Sequence, residues 1–293
     1  MRNLKKFIPL FAVVVLSLIS CTEDVNLSVI SSTERKIVIE GNIENGKSAE
    51  VLVTRNSPIS QPIDISAIFV SDAKVYVSNG TITDTLKYTL DPTGSLPFAY
   101  KGSSLLMGVA GQTYNLTVIA DGKTFTATTT IPTPIKLDSV WWKIQPPEDS
   151  LGFAWAHLTD PAGPGNAYKW YAKRATKDRR YIAPYGSTFD DKFIDGKSFD
   201  FAYNRGSDPT ASATASKEKE TDRGFFRLGD TIYIKFCAID PNTFKFYSTY
   251  EQALQTNGNP FASPVAISSN IKGGGLGVWG GLGTTYDTIY AHK

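Results

Sequence analysis

Short runs in which apolar and polar residues alternate recur along this chain, separated by clusters of glycine, proline, asparagine and aspartate, the pattern of half-buried β-strands. Lys36 to Gly41, Ala49 to Arg55 and Lys74 to Ser78 are clear cases, and the last ends at Asn79-Gly80, a pair suited to a tight hairpin because both residues tolerate positive φ. Thr113 to Ala120, the turn Asp121-Gly122, and Lys123 to Thr129 predict a second hairpin. Ile131-Pro132-Thr133-Pro134-Ile135 then interrupts the ladder, since neither proline can donate a backbone hydrogen bond, and a domain boundary is expected there. Beyond it, Leu137 to Ile144, Gly152 to Leu158, Tyr168 to Arg174 and Thr231 to Ile239 read as strands. Arg179 to Gly224 is rich in Asp, Gly and Ser without sustained periodicity, which predicts a long loop. Phe246, Tyr250, Ala253 and Leu254 fall at helical spacing and predict one short helix over Phe244 to Gln255.

The glycine-rich stretch from Asn270 to Gly283 resembles a phosphate-cradling loop only in composition. Such loops follow a buried strand and open a helix, whereas β-like residues, Thr284 to Tyr290, follow here. A bulged terminal strand in which glycine lets backbones approach is the expectation. The fold class predicted is all-β in two domains: an immunoglobulin-like β-sandwich over residues 36–132, and a β-sandwich or barrel-like domain over residues 135–293 with long loops and one short helix.

The first residues follow a different rule. Arg2, Lys5 and Lys6 precede an uncharged apolar run from Phe7 to Ile19, and Ser20 stands before Cys21. The run is shorter than the roughly 20 apolar residues a spanning helix needs, so residues 1–20 are expected to be a cleaved export signal. Leu18-Ile19-Ser20-Cys21 resembles the lipobox of bacterial lipoproteins, which implies acylation of Cys21 and membrane attachment through that lipid, with residues 21–35 as a flexible tether. Glu23 and Asp24 resemble a surface-export signal; an ordinary solvated tether is written the same way.

Three of the thirty Lys and Arg lie in the signal, leaving 27 basic against 28 acidic residues, so the mature chain is near neutral and no nucleic-acid partner is expected. The one basic cluster, Lys173, Arg174, Lys177, Arg179 and Arg180, reads as a solvated face or as a docking site. With Cys21 acylated only Cys237 remains, which excludes an intramolecular disulfide and points to a small buried residue.

Catalytic motifs are absent: neither a Gly-x-Ser-x-Gly elbow nor a His-Glu-x-x-His pair occurs, and His157 and His292 are the only histidines. No cofactor is expected. Asp190, Asp191 and Asp195 could form a turn, a cation site built from hard oxygen ligands, or the carboxylate pair of a glycosidase. Aromatic residues, among them Trp141, Trp142, Trp155 and Tyr168, concentrate in the second half. They fill a core, or some present a flat ligand or partner surface, for which Trp170, Tyr171, Tyr181 and Tyr185 are the candidates.

Several phrases in this order resemble an uncharacterised family of Bacteroidota outer-membrane lipoproteins commonly encoded beside TonB-dependent receptors. They are Val109 to Leu116 leading to Ile131 to Ile135, then Asp138-Ser139-Val140, Thr159-Asp160-Pro161 with Asn166 to Trp170, Asp190 to Lys197, and Asn259 to Val265 running into Asn270 and the glycine-rich tail. Trp279 departs from the phenylalanine or tyrosine expected at its position. The resemblance implies an outer-membrane lipoprotein that assists a TonB-dependent nutrient transporter by binding a small nutrient or glycan, and it supplies no catalytic residues. The competing expectations are a surface hydrolase acting on glycans and a structural, adhesin-like lipoprotein.

Overall fold

The structure, a computed structural model, describes residues 35–57, 65–90, 98–207, 224–256, 259, 262–263 and 265–292. Residues 1–20, expected to be an export signal, and Cys21 lie outside the described residues. Alternating sequence becomes strand almost throughout. β1 (Ile37–Glu44) and β2 (Glu50–Arg55) pair antiparallel and turn Ile37, Ile39, Ile43, Val51 and Val53 inward. A single-turn helix α1 (Ile65–Ile68) is followed by β3 (Lys74–Ser78), β4 (Thr83–Leu90), β5 (Phe98–Lys101), β6 (Thr113–Ala120) and β7 (Lys123–Thr130). In the second half come β8 (Ser139–Ile144), β9 (Leu151–Thr159), β10 (Ala167–Arg174), β11 (Thr188–Asp190), β12 (Ser198–Tyr203), β13 (Phe226–Arg227) and β14 (Thr231–Ile239). A helix α2 (Pro241–Thr256) and the long β15 (Leu276–Tyr290) complete the order. The chain is therefore all-β with one substantial helix, as its sequence predicts.

Eleven strands form one sheet in the order β11-β10-β14-β15-β1-β2-β5-β4-β3-β6-β7, and β12, β13 and β8 flank β9 in a second. The C-terminal strand is the keystone. β15 runs antiparallel to β14 on one side and parallel to β1 on the other, so both halves of the chain share one sheet. At the far end the sheet curls back: Thr126 bridges Lys272, and the Gly281 N–H donates to Thr129 Oγ1 at 2.6 Å. This encloses a first core of Ile39, Ile43, Val51, Val75, Tyr114 and Leu116, into which β15 inserts Trp279. The indole of Trp279 is fully buried and donates to the Tyr114 carbonyl at 3.0 Å, which satisfies its one polar group.

A second core lies between the two sheets. Trp170, Ile232, Ile234 and Phe236 of the large sheet meet Leu158, Phe199 and Phe201 of the small one in a sandwich-like arrangement. The chain crosses between cores at the prolines, with Ile131 in the first and Leu137 in the second, but Ile271 and Trp279 return to the first.

The long segment expected as loop between 179 and 224 differs from its prediction, because it contributes β11 and β12. Phe199, Phe201 and Tyr203 alternate with Ser198, Asp200 and Ala202, a strand signal only six residues long and easily lost among turn residues. The turn at Asn79 is also longer than a two-residue hairpin: the Asn79 N–H bonds the Ile82 carbonyl, and Asn79 Oδ1 accepts from the N–H groups of Thr81 and Ile82.

Helix α2 begins as its sequence dictates. Pro241 occupies the first turn, where its missing N–H costs nothing, and Asp240 caps the end through the N–H groups of Asn242 and Thr243 at 2.9 and 3.1 Å. The second Asp240 oxygen accepts the hydroxyls of Thr243 and of Thr129 on β7, both at 2.6 Å. A single buried carboxylate thus ties the helix start to the first half of the molecule.

Candidate functional site

Strand alternation gives β10 and β14 two unlike faces. Tyr168, Trp170 and Ala172, with Ile232, Ile234 and Phe236, turn into the second core. Lys169, Tyr171 and Lys173, with Tyr233, Lys235 and Cys237, therefore point to the opposite face of the sheet. Register places Lys173 beside Tyr233, and Lys235 between Tyr171 on β10 and Tyr286 on β15. The end of β1 adds Glu44 and the turn after it adds Lys47.

These groups meet at Glu44, whose side chain is only 7% exposed. Lys235 Nζ pairs with Oε1, while Oε2 accepts the Tyr286 hydroxyl at 2.7 Å and lies 3.0 Å from Lys47 Nζ. Burial alone would raise the Glu44 pKa. The charge of Lys235, hydrogen bonds from Lys235 and Tyr286, and the charge of Lys47 outweigh burial and hold it below its ordinary value. A carboxyl whose folded pKa is depressed stabilises the fold above its unfolded pKa, near 4.5, and loses that contribution as pH falls through the folded pKa. Glu44→Gln is accordingly expected to lower Tm at neutral pH and to converge on the parent in acid. Tm measured from about pH 7 to about pH 3 checks this; parallel curves would mean that the ionisation of Glu44 is not linked to folding.

Over this cluster opens a cleft of about 280 Å³. The cations Lys47, Lys173, Arg179, Arg180 and Lys235 line it against the two carboxylates of Glu44 and Glu50. Tyr181 and Tyr286 form an aromatic wall, their rings 6.0 Å apart and inclined at 55°. Lys173 Nζ lies 5.0 Å from the centre of the Tyr181 ring, and Lys47 Nζ 4.7 Å from that of Tyr286. Burial, followed by the charge of Glu44, pushes the Tyr181 hydroxyl up to about 12, so it remains a protonated donor at neutral pH. Another cavity, about 320 Å³, sits at the turns around Arg174 to Lys177 and Leu228 to Thr231. There the principal charges are already paired: Lys177 with Asp230 at 2.7 Å, and Arg174 with Asp178 at 2.7 Å.

The residues singled out from sequence separate. Trp170 is fully buried, edge-on to Phe201 at 5.7 Å, because it falls on the inward phase of β10. Tyr171 lies on the outward phase, with Lys235 Nζ 5.2 Å above its ring. Tyr181 reaches the cleft and Tyr185 is exposed. Trp141 and Trp155, on the outer face of the small sheet, stack on each other at 6.0 Å with Lys143 over the Trp155 ring. Cys21 lies outside the described residues.

Of the three aspartates, Asp191 and Asp195 gather with Asp160, their carboxylate oxygens within 4.8 Å of one another, while Asp190 stays in β11 opposite Ala167. Much of this oxygen is committed to the backbone. Asp191 Oδ2 accepts the N–H groups of Gly165 and Asn166 at 2.8 and 2.7 Å, Asp195 Oδ1 that of Gly163 at 2.7 Å, and Asp160 the Tyr168 hydroxyl and the Gly196 N–H. The geometry serves to bind the β9–β10 turn to the segment after β11.

Neither histidine lines the cleft. His157 Nδ1 lies 2.5 Å from Asp200 on the small sheet, and His292 Nδ1 contacts the Tyr290 carbonyl. Cys237 is wholly buried and burial pushes its thiol up to about 11, leaving it protonated and a poor nucleophile. What the cleft can do is hold a ligand: it combines cations, the protonated Tyr181 hydroxyl and aromatic faces.

A family model described as a domain of unknown function (DUF4249) matches residues 22–287. No curated protein matches the chain.

Proposed function

The chain belongs to the DUF4249 family, and from that premise we propose that it is an outer-membrane lipoprotein, anchored through Cys21, that binds a small nutrient or glycan as an accessory to a TonB-dependent transporter. The observation that carries the binding reading is the cleft over Glu44. Its floor is a closed set of ion pairs in which Glu44 already has three donors, so that carboxylate is held ionised and is a poor general acid or base. Its rim offers cations and tyrosine rings instead of a nucleophile paired with a base. The anchor reading is supported by the basic start, the apolar run and Leu18-Ile19-Ser20-Cys21.

Cys21→Ala is expected to abolish metabolic labelling with a fatty acid and to move the protein from the membrane to the soluble fraction, since the lipid is the proposed anchor. Retention in the membrane fraction would remove the lipidation reading. Affinity purification of the tagged full-length protein from gently solubilised outer membranes, with the Cys21→Ala protein as control, tests the transporter. A TonB-dependent receptor is expected at near-equal abundance; recovery of the protein alone would count against an accessory role.

A further inference from the structure

We infer that the cleft selects a small anionic ligand, a carboxylate, phosphate or sulfate carried on a compact ring, with Lys173 and Arg179 receiving the charge and Tyr181 packing against the ring. The inference rests on the binding reading above and specifies its ligand.

Charge is the first argument. Five cations face two carboxylates in the cleft, and the balance is not uniform within it. At the floor, Lys235 and Lys47 are both drawn to Glu44, so the buried acid is compensated and does not repel an incoming anion. At the rim, Lys173 and Arg179 make no ion pair among the described residues; Lys173 touches only the rings of Tyr181 and Tyr233, at 5.0 and 5.9 Å. Cations held in a concave site without a counter-charge create a local positive field that attracts anions. Arg179 adds a planar guanidinium, which suits the paired oxygens of carboxylate and phosphate.

Shape is the second. A volume of about 280 Å³ falls just short of the roughly 300 Å³ at which small-molecule sites begin, and is enough for a single sugar or an organic acid. Tyr181 and Tyr286 are inclined to each other, giving a ring face for the ligand body; the protonated Tyr181 hydroxyl can donate to it, the Tyr286 proton is already given to Glu44, and neither hydroxyl carries a repelling charge. The fold holds the parts in register. Lys173 lies on β10, Tyr286 on β15 and Glu44 on β1, all in one hydrogen-bonded sheet, and the Ala172–Ile182 bridge fixes the loop that carries Arg179 to Tyr181.

The test is calorimetric titration of the full-length, detergent-solubilised protein with citrate, glucuronate, glucose 6-phosphate and sulfate, and with neutral glucose for comparison. At least one charged probe is expected to bind, more weakly as salt is raised, and glucose is expected not to. Lys173→Met/Arg179→Met changes only side chains at the rim and is expected to keep the parent Tm while weakening that probe at least tenfold. Tyr181→Leu keeps the charge and removes the ring, and is expected to weaken glucuronate or glucose 6-phosphate while sparing sulfate. Failure of every charged probe, equal binding of glucose, or unchanged affinity in the double variant would overturn the inference. These outcomes are independent of receptor co-purification: a receptor without anion binding leaves the accessory role standing, and anion binding without a receptor does the reverse.

Discussion

Gly277→Ala is expected to lower the stability of the fold by about 2–5 kcal/mol, the sum of left-handed backbone strain and overpacking against an immovable neighbour. Gly277 lies where β15 runs beside β1, opposite Ile39, with φ at +112°. A Cβ there would stand 1.9 Å from the Ile39 carbonyl oxygen. That carbonyl cannot retreat, since β1 is also paired with β2 through Ile39 and Val53. Gly274 provides the control. Its φ is also positive, at +84°, but a Cβ there would meet nothing within 4 Å, so Gly274→Ala should cost only the conformational term, about 1–2 kcal/mol. Urea denaturation of both variants, with m-values compared to confirm that the midpoints report stability, separates the two contributions. Equal losses at both positions would show that close approach of the strands is not what requires glycine at 277.

That close approach was legible in the sequence. Gly273 to Gly283 lacked the helix that a phosphate loop needs and led into Thr284 to Tyr290, which left a tightly packed β segment as the reading, and β15 is such a strand. Local signals served equally well elsewhere. Asp121 and Gly122 adopt positive φ of 50° and 70° between β6 and β7, and the helical spacing of Phe246, Tyr250 and Ala253 lies within α2. Composition could not provide phase. Trp170 and Tyr171 are neighbours, and only the register of β10 against β14 decides that the first is buried in the core while the second joins Lys169 and Lys173.

The cleft was the least legible feature. The basic run from Lys173 to Arg180 was visible, but Glu44, Lys47 and Tyr286 come from the two ends of the described chain, and they meet only because β15 inserts beside β1. A parallel strand pair joined across more than two hundred residues leaves no local trace. Asp160 was missed for a similar reason. It closes β9 and meets Asp191 and Asp195 through a fold-back, whereas adjacency in sequence had favoured Asp190.

The largest electrostatic effect is expected at the other end of the same sheet face, where α2 covers it. Lys169 and Glu251 form an ion pair at 3.1 Å with exposures of 4% and 13%. Glu251 also accepts the Thr188 hydroxyl at 2.7 Å and the Gly186 N–H at 3.1 Å, and Lys169 Nζ reaches Ser187 and Thr188 at 3.2 and 2.8 Å. Burial lowers the Lys169 pKa, and the charge of Glu251 only partly restores it. Removing one partner strands the other, so Glu251→Ala should cost about 3–5 kcal/mol. In Lys169→Met/Glu251→Leu no buried charge remains, so the part of that loss due to the stranded lysine should be recovered, while the part due to the Thr188 and Gly186 donors left without Glu251 should persist. The pH dependence separates this account from simple loss of helix packing. A lysine whose folded pKa is depressed stabilises the fold above its unfolded pKa, near 10.5, and loses that contribution as pH falls through the folded value. Glu251→Ala deepens the depression, so this variant should regain stability as pH rises from about 7 to about 10, while the double variant should not. A flat profile for Glu251→Ala would mean that Lys169 escapes to solvent once unpaired, and that α2 is held by Asp240 and packing without the ion pair.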